Sequence, residues 1–379
     1  MKLKTVNFIG FVILGTVILS CSPKTEEPET IKDAYAEFFD IGTVLNAWQI
    51  LGNDSAAVNV AIKNFNTVTA ENAMKWEKIH PEPGVFNFEV ADKIVEIAEQ
   101  NNMKVIGHVL LWHSQTPKWV FFGEDGELTS RDTLLARLKN HIEVVLGHYK
   151  GKIHGWDVVN EAFNDDGTQR NTLWKKIIGD DYIQKAFEFA AEADPNTELY
   201  YNDFNMYKPQ KVDSVIKMVN DLREKGVKID GIGMQGHYGL KDNPLLNEFE
   251  ASVKAYSELG VKVMITEMDI TLLPFPSPGN GADVGMRFEL EEGLDPYKEG
   301  LPDSVKVELA GRYSDLFRVL LKYSNSVSRV TIWGVNDLYS WRNNWPIRGR
   351  SDYPLLFDRQ NQPKLVVDSL ITLANQYKN

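Results

Sequence analysis

Short apolar runs rich in β-branched residues recur along the chain, and each gives way to a longer stretch with apolar positions at helical spacing. The pattern predicts strands over residues 38–46, 67–70, 104–111, 154–159, 198–202, 231–235, 261–266 and 329–333. Between and after them it predicts helices over 56–65, 89–102, 132–149, 173–193, 209–225, 245–259, 303–323 and 363–376. Runs without alternation, such as Val263-Met264-Ile265, suit strands buried on both faces. Eight such units in 379 residues read as an α/β protein, a single (β/α)8 TIM barrel with elaborated βα loops. An open doubly wound sheet is the competing arrangement. A nucleotide-binding version of it needs a Gly-rich phosphate loop after an early strand, and none follows one here. One connection is oversized: residues 274–302 carry Pro274, Pro276, Pro278, Pro296 and Pro302 among many acidic side chains. It follows the seventh predicted strand, on the face where such barrels act.

The N-terminus breaks the pattern. Lys2 and Lys4 precede an apolar run over residues 6–19, shorter than the ~20 residues a membrane span needs, which ends in Leu19-Ser20-Cys21. A small residue before Cys at that place resembles a bacterial lipoprotein cleavage box, and Cys21 is the chain's one cysteine. Residues 1–21 therefore read as a lipoprotein signal peptide with Cys21 as the lipid attachment site, 22–32 as a polar tether, and 33–379 as the catalytic domain. The expected location is outside the cytoplasm, anchored through that lipid to the outer membrane on its surface or periplasmic face.

Composition narrows the partners. Asp plus Glu number 53 against 41 Lys plus Arg, a net charge of −12, which argues against nucleic acid. A single cysteine leaves no intrachain disulfide. Nine tryptophans supply flat faces on which sugar rings stack. The expected form is a monomer whose only membrane contact is the N-terminal lipid.

The candidate chemistry follows the strand ends, where a barrel keeps its catalytic groups. Glu71, Asn72 and Lys75 follow the second strand; His108 lies in the third, with Trp112, His113 and Gln115 after it. Asn160 and Glu161 close the fourth, Asn202 and Asp203 the fifth, and Gln235 the sixth, just before His237. Glu267 and Asp269 follow the seventh, and Trp333 and Trp341 the eighth. Glu161 and Glu267 each come directly after a buried strand, where a solvated carboxylate is out of place. Glycosidic cleavage needs such a pair, one protonated to assist the leaving oxygen and one ionised to attack or to activate water. Asn160 can donate to a sugar 2-hydroxyl, and His237 with Asp269 can hold Glu267 ionised. Glu71, Asn72, Lys75, His108 and Gln115 suit hydroxyl recognition, and Trp112, Trp333 and Trp341 pyranose stacking. Metal ligation by His108, His113, His237, Glu267 and Asp269 is the rival use. No HxH or HExxH occurs, so neither metal nor cofactor is expected.

Three motifs, Gly107-His108-Val109-Leu110-Leu111-Trp112-His113-Ser114-Gln115, Trp156-Asp157-Val158-Val159-Asn160-Glu161 and Ile265-Thr266-Glu267-Met268-Asp269, resemble glycoside hydrolase family 10, the endo-β-1,4-xylanases. Glu71-Asn72-Ala73-Met74-Lys75-Trp76, Tyr201-Asn202-Asp203, Gly233-Met234-Gln235-Gly236-His237, Trp333-Gly334-Val335-Asn336-Asp337 with Trp341, and Leu355-Leu356-Phe357-Asp358 extend the likeness from about Phe39 to the C-terminus. The resemblance implies double displacement on xylan and xylo-oligosaccharides, with Glu161 as acid/base and Glu267 as nucleophile supported by His237. It places Glu71, Asn72, Lys75, His108, Trp112, Gln115 and Asn160 on the glycone side, closed by Trp333 and Trp341. Asn202, Gln235 and His237 sit around the centre. Two departures bear on the aglycone side: Phe204 stands where the family usually has Tyr, and residues 274–302 are longer than in compact members. A glucan-cleaving relative and a non-catalytic glycan-binding lipoprotein are the alternatives.

Overall fold

The computed structural model describes residues 1–2, 29–241, 244–276 and 285–378. Cys21, nearly all of the signal segment, the tether up to residue 28 and residues 277–284 of the long connection lie outside them. Among the described residues nine strands occur: β1 Asp40–Leu45, β2 Thr67–Ala70, β3 Lys104–Leu111, β4 Gly155–Asn160, β5 Glu198–Asp203, β6 Gly231–Met234, β7 His237–Gly239, β8 Lys262–Thr271 and β9 Val327–Ile332. All pair in parallel, in the order β6-β5-β4-β3-β2-β1-β9-β8, and β6 pairs with β8 to close an eight-stranded barrel. The short β7 is the extra strand. It continues β6 along β8 after a break at Gln235 and Gly236, pairing His237 with Asp269.

The helices wrap the barrel because one stripe of each is apolar. Glu89–Gln100 buries Ala91, Ile94, Val95 and Ala98, the i, i+3, i+4, i+7 set that faces a sheet. The helix predicted over 173–193 is instead two, Leu173–Ile178 and Tyr182–Ala193. Gly179 separates them at φ +105°, a conformation that ends an α-helix and suits only glycine.

The body also begins earlier than residue 33. Thr30 caps a turn of helix, Ile31–Ala34, and Ile31, Ala34 and Tyr35 are fully buried. The Tyr35 hydroxyl donates to the carbonyl of Leu370 in the C-terminal helix Leu365–Lys378, and Asn375 donates to Glu29. The last residues assigned to the tether, Ile31 and Lys32, thus belong to the barrel, because Ile31 is an apolar side chain with a core to fill.

Three strands lose regular register where they approach the top of the barrel. β3 shifts against β4 between His108 and Leu111, β4 against β5 between Asp157 and Val159, and β8 against β9 between Ile265 and Met268. Each irregularity breaks the two-residue alternation and lets the chain re-aim a side chain at the strand end.

Candidate active site

At the C-terminal ends of the strands the chain encloses a cavity of about 120 Å³. It is lined by Glu71, Asn72, Lys75, His108, Trp112, Gln115, Asn160, Glu161, Gln235, His237, Glu267, Trp333 and Trp341. Every one is a residue singled out from the sequence. Asn202 and Asp269 stand directly behind this lining, each bonded to it, whereas His113 and Asp203 are not among the lining residues.

One chain of amides joins the two central carboxyls. Gln235 Nε2 donates to Glu161 Oε1 at 2.9 Å and to Asn160 Oδ1 at 3.2 Å. Asn202 Nδ2 donates to the same Asn160 oxygen at 3.1 Å and to Glu267 Oε1 at 2.7 Å. Asn202 is oriented in turn by the Thr266 hydroxyl, which donates to its Oδ1. Gly233 of β6 leaves the space for this: a Cβ there would lie 2.4 Å from Asn202 Oδ1.

The two carboxyls meet opposite electrostatics. Glu161 sits at φ +58° and is 5% exposed. Burial and the negative charge of Asp203 push its pKa up to about 7, against the pull of hydrogen bonds from Gln235 and from Trp112 Nε1, 2.9 Å from Oε2. Glu267 is equally buried, which works to raise its pKa. The hydrogen bond from His237 and the charges of His108, His237 and Lys75 outweigh that and hold it below the ordinary carboxylate range. Neighbouring acids tuned apart in this way mark one as proton donor and the other as anion.

Behind Glu267 runs a relay. His237 Nε2 lies 3.1 Å from Glu267 Oε2 and its Nδ1 3.0 Å from Asp269 Oδ2. Burial disfavours the imidazolium, but Asp269 and Glu267 together raise its pKa. Asp269 is fully buried; the Arg342 guanidinium, bonded to Oδ1 through Nε and Nη2, and His237 bring its pKa down to about 2 despite burial. Trp341 Nε1 donates to Asp269 Oδ2 at 2.6 Å.

The far wall is cationic. Lys75 Nζ donates to Asn72 Oδ1 at 3.0 Å and Gln115 Oε1 at 2.9 Å, and burial lowers its pKa against the attraction of Glu267, Glu71 and Glu161. His108 bonds Asp157 through Nδ1 at 2.8 Å, leaving Nε2 as the other ring nitrogen of this cavity-lining side chain. Trp112 differs from expectation. It is 4% exposed, its N–H serves Glu161, and the Lys75 ammonium lies 4.9 Å over its ring, so it works by its edge rather than as an open stacking face. Phe204 is buried and has Lys211 Nζ 4.2 Å above its ring.

Sequence reasoning missed the support layer. Asp157 orients His108, Arg342 anchors Asp269, and Arg170 Nε holds the Glu161 carbonyl. Asp203, noted only as a strand-end residue, is a buried anion bonded by Lys211 and Tyr201. A buried Asp inside an apolar strand, as in Trp156-Asp157-Val158, was the available signal for the first. The other partners lie too far along the chain to be paired by spacing. Among the described residues no group of three or more His, Cys, Asp or Glu side chains is arranged to hold a metal ion.

Comparison with known proteins finds likenesses over most of the chain. The family model described as glycosyl hydrolase family 10 matches residues 30–372. A protein named endo-1,4-β-xylanase A in Xylanibacter ruminicola is 43% identical over 360 residues, covering 95% of this chain and 97% of that one. A solved structure described as a GH10 endoxylanase from sugarcane soil metagenome superposes with a TM-score of 0.88 at 42% identity, covering 90% of this chain and 99% of that one. Another, of a variant in complex with xylotriose, gives a TM-score of 0.80 at 35% identity, covering 90% and 99%.

Proposed function

The chain belongs to glycosyl hydrolase family 10, and we propose that it is a retaining endo-1,4-β-xylanase acting on internal bonds of xylan, secreted and held at the outer membrane by a lipid on Cys21. The observation that carries the catalytic part is the pair of carboxyls linked by amides and tuned in opposite directions, Glu161 up to about 7 and Glu267 down. Glu267 attacks the anomeric carbon while Glu161 gives its proton to the departing glycosidic oxygen. The C–O bond breaks and a glycosyl ester forms on Glu267. Water then adds to the anomeric carbon, Glu161 takes its proton, and the ester bond to Glu267 is released. His237, charged by Asp269, keeps Glu267 anionic and then stabilises it as a leaving group. The anchoring part rests on residues 1–21 alone, a basic start, a short apolar run and a Cys after a small residue.

Reducing-sugar release from xylan by the protein lacking residues 1–21, beside its Glu267→Gln variant, tests the assignment. Activity in the first and loss of at least about 10³-fold in the second is expected. Near-normal turnover in Glu267→Gln removes the nucleophile from this reading. Glu161→Ala separates the acid: glycosylation from aryl xylobiosides with good leaving groups is spared, since they depart unprotonated, while xylan cleavage is lost. Faster turnover of aryl cellobioside than of aryl xylobioside moves the substrate to a glucan.

A further inference from the structure

Trp341 is asked to do two things: it lines the cavity, and its indole N–H is bonded to Asp269. Yet it stands in an irregular run with only two short 3-10 turns, Asp337–Tyr339 and Trp341–Asn343, and is itself only half-buried. Something must fix its plane. The structure supplies a column of rings. Trp341 stacks on Trp345 with centroids 4.6 Å apart and planes 25° apart. Trp345 packs against Phe275 at 5.9 Å, and Phe275 meets Phe288 edge-on at 6.1 Å. Both phenylalanines come from the oversized connection after β8.

That connection is sewn to the tryptophan-bearing run on both sides of the rings. Phe288 N–H donates to the Pro346 carbonyl at 3.1 Å, and Arg350 Nη1 donates to the carbonyl of Pro274 at 3.0 Å. The Ser351 N–H donates to Asp295 Oδ1 at 3.0 Å. Phe288 remains 38% exposed, so sealing a core is a poor account of its place.

We infer that Phe275 and Phe288 are positioning residues for substrate binding: the long connection braces Trp345, and through it holds the Trp341 indole against the cavity. The inference rests on the xylanase reading for its substrate, and on the ring geometry for its structural half. Two measurements on the full chain separate these. The Trp341–Trp345 pair is close enough for an indole exciton couplet in circular dichroism, identified as the part of the spectrum lost in Trp341→Phe. Phe275→Ala and Phe288→Ala are expected to weaken that couplet and to raise KM for xylo-oligosaccharides about 3- to 10-fold while kcat changes less than about twofold. Phe275→Tyr and Phe288→Tyr are expected to restore both. A wild-type couplet in both alanine variants overturns the brace, whatever activity does. A weakened couplet with unchanged KM, or a loss of kcat that follows melting temperature and is not rescued by tyrosine, overturns the positioning role. Failure of the wild type to hydrolyse xylan sinks the substrate reading and leaves the couplet to decide the brace.

Discussion

At the scale of single residues, the chemistry of this cleft is a matter of which partners face each carboxyl. Glu161 loses its proton near pH 7, so the alkaline limb of kcat/KM is expected there, with turnover falling as the acid ionises. Two substitutions should move that limb in opposite directions. Trp112→Phe removes a donor that favours the carboxylate, which raises the Glu161 pKa and carries the limb to higher pH. Asp203→Asn removes a negative charge that opposes ionisation, which lowers the pKa and carries the limb to lower pH. The second also takes from the buried Lys211 ammonium its nearest anion, leaving it the Phe204 carbonyl and Asp165 at 3.8 Å, at a cost of about 3 kcal/mol. pH–rate profiles at a temperature where both variants are folded make the comparison; limbs that stay together or move the same way refute this balance of forces. The two glutamates were legible because each interrupts an apolar run. Their supporters were not: Asp157 reaches His108 across 49 residues and Arg342 reaches Asp269 across 73, distances that only the fold closes.

At the scale of elements, strand positions followed directly from buried runs, while the irregularities that aim the site did not. A break in pairing register leaves the hydrophobic pattern nearly untouched, since every residue of β8 from Val263 to Ile270 is buried whichever way it points. The short β7 was invisible for the same reason: three residues carry no periodicity. Gly233 is the element-level feature with the sharpest consequence. A methyl group on it meets Asn202 Oδ1 at 2.4 Å and Thr266 Cγ2 at 2.8 Å, and β5 and β8 are both held in the barrel. Asn202 has a second side-chain torsion that β-branched Thr266 lacks, so its side chain is expected to yield, breaking the bond to Glu267. Gly233→Ala should then lower kcat by about 10- to 100-fold, with a loss of stability of about 1–3 kcal/mol from overpacking. Steady-state kinetics beside denaturant unfolding separate the two; a stability loss with normal kcat shows that the strand moved and the amide chain did not.

At the scale of the whole molecule, the eight-fold alternation named the barrel, but not where the barrel starts. The polar, Pro-containing stretch runs through Thr30, and its last residues with the few that follow are too short to show a helical period. In the fold they form a strap from Glu29 to Tyr35 packed on the C-terminal helix, joining the two ends of the body. A chain starting at Glu29 should therefore keep full stability, whereas one starting at Phe39 gives up the burial of Ile31, Ala34 and Tyr35 and should lose at least about 3 kcal/mol.

The same geometry sets what the proposed anchor can do. On the proposed anchoring, the seven residues between Cys21 and Glu29 span at most about 25 Å when extended, which would keep the barrel close to the membrane. Anchoring should then change where the enzyme is, and not its rate on a small diffusing substrate. Cys21→Ser is expected to shift the protein from the membrane to the soluble fraction of the cell envelope, with kcat on xylo-oligosaccharides within about twofold of the anchored form. A Cys21→Ser protein that stays with the membrane would place the attachment in the apolar run itself. A released protein with a strongly altered kcat would mean that the anchored N-terminus acts on the barrel.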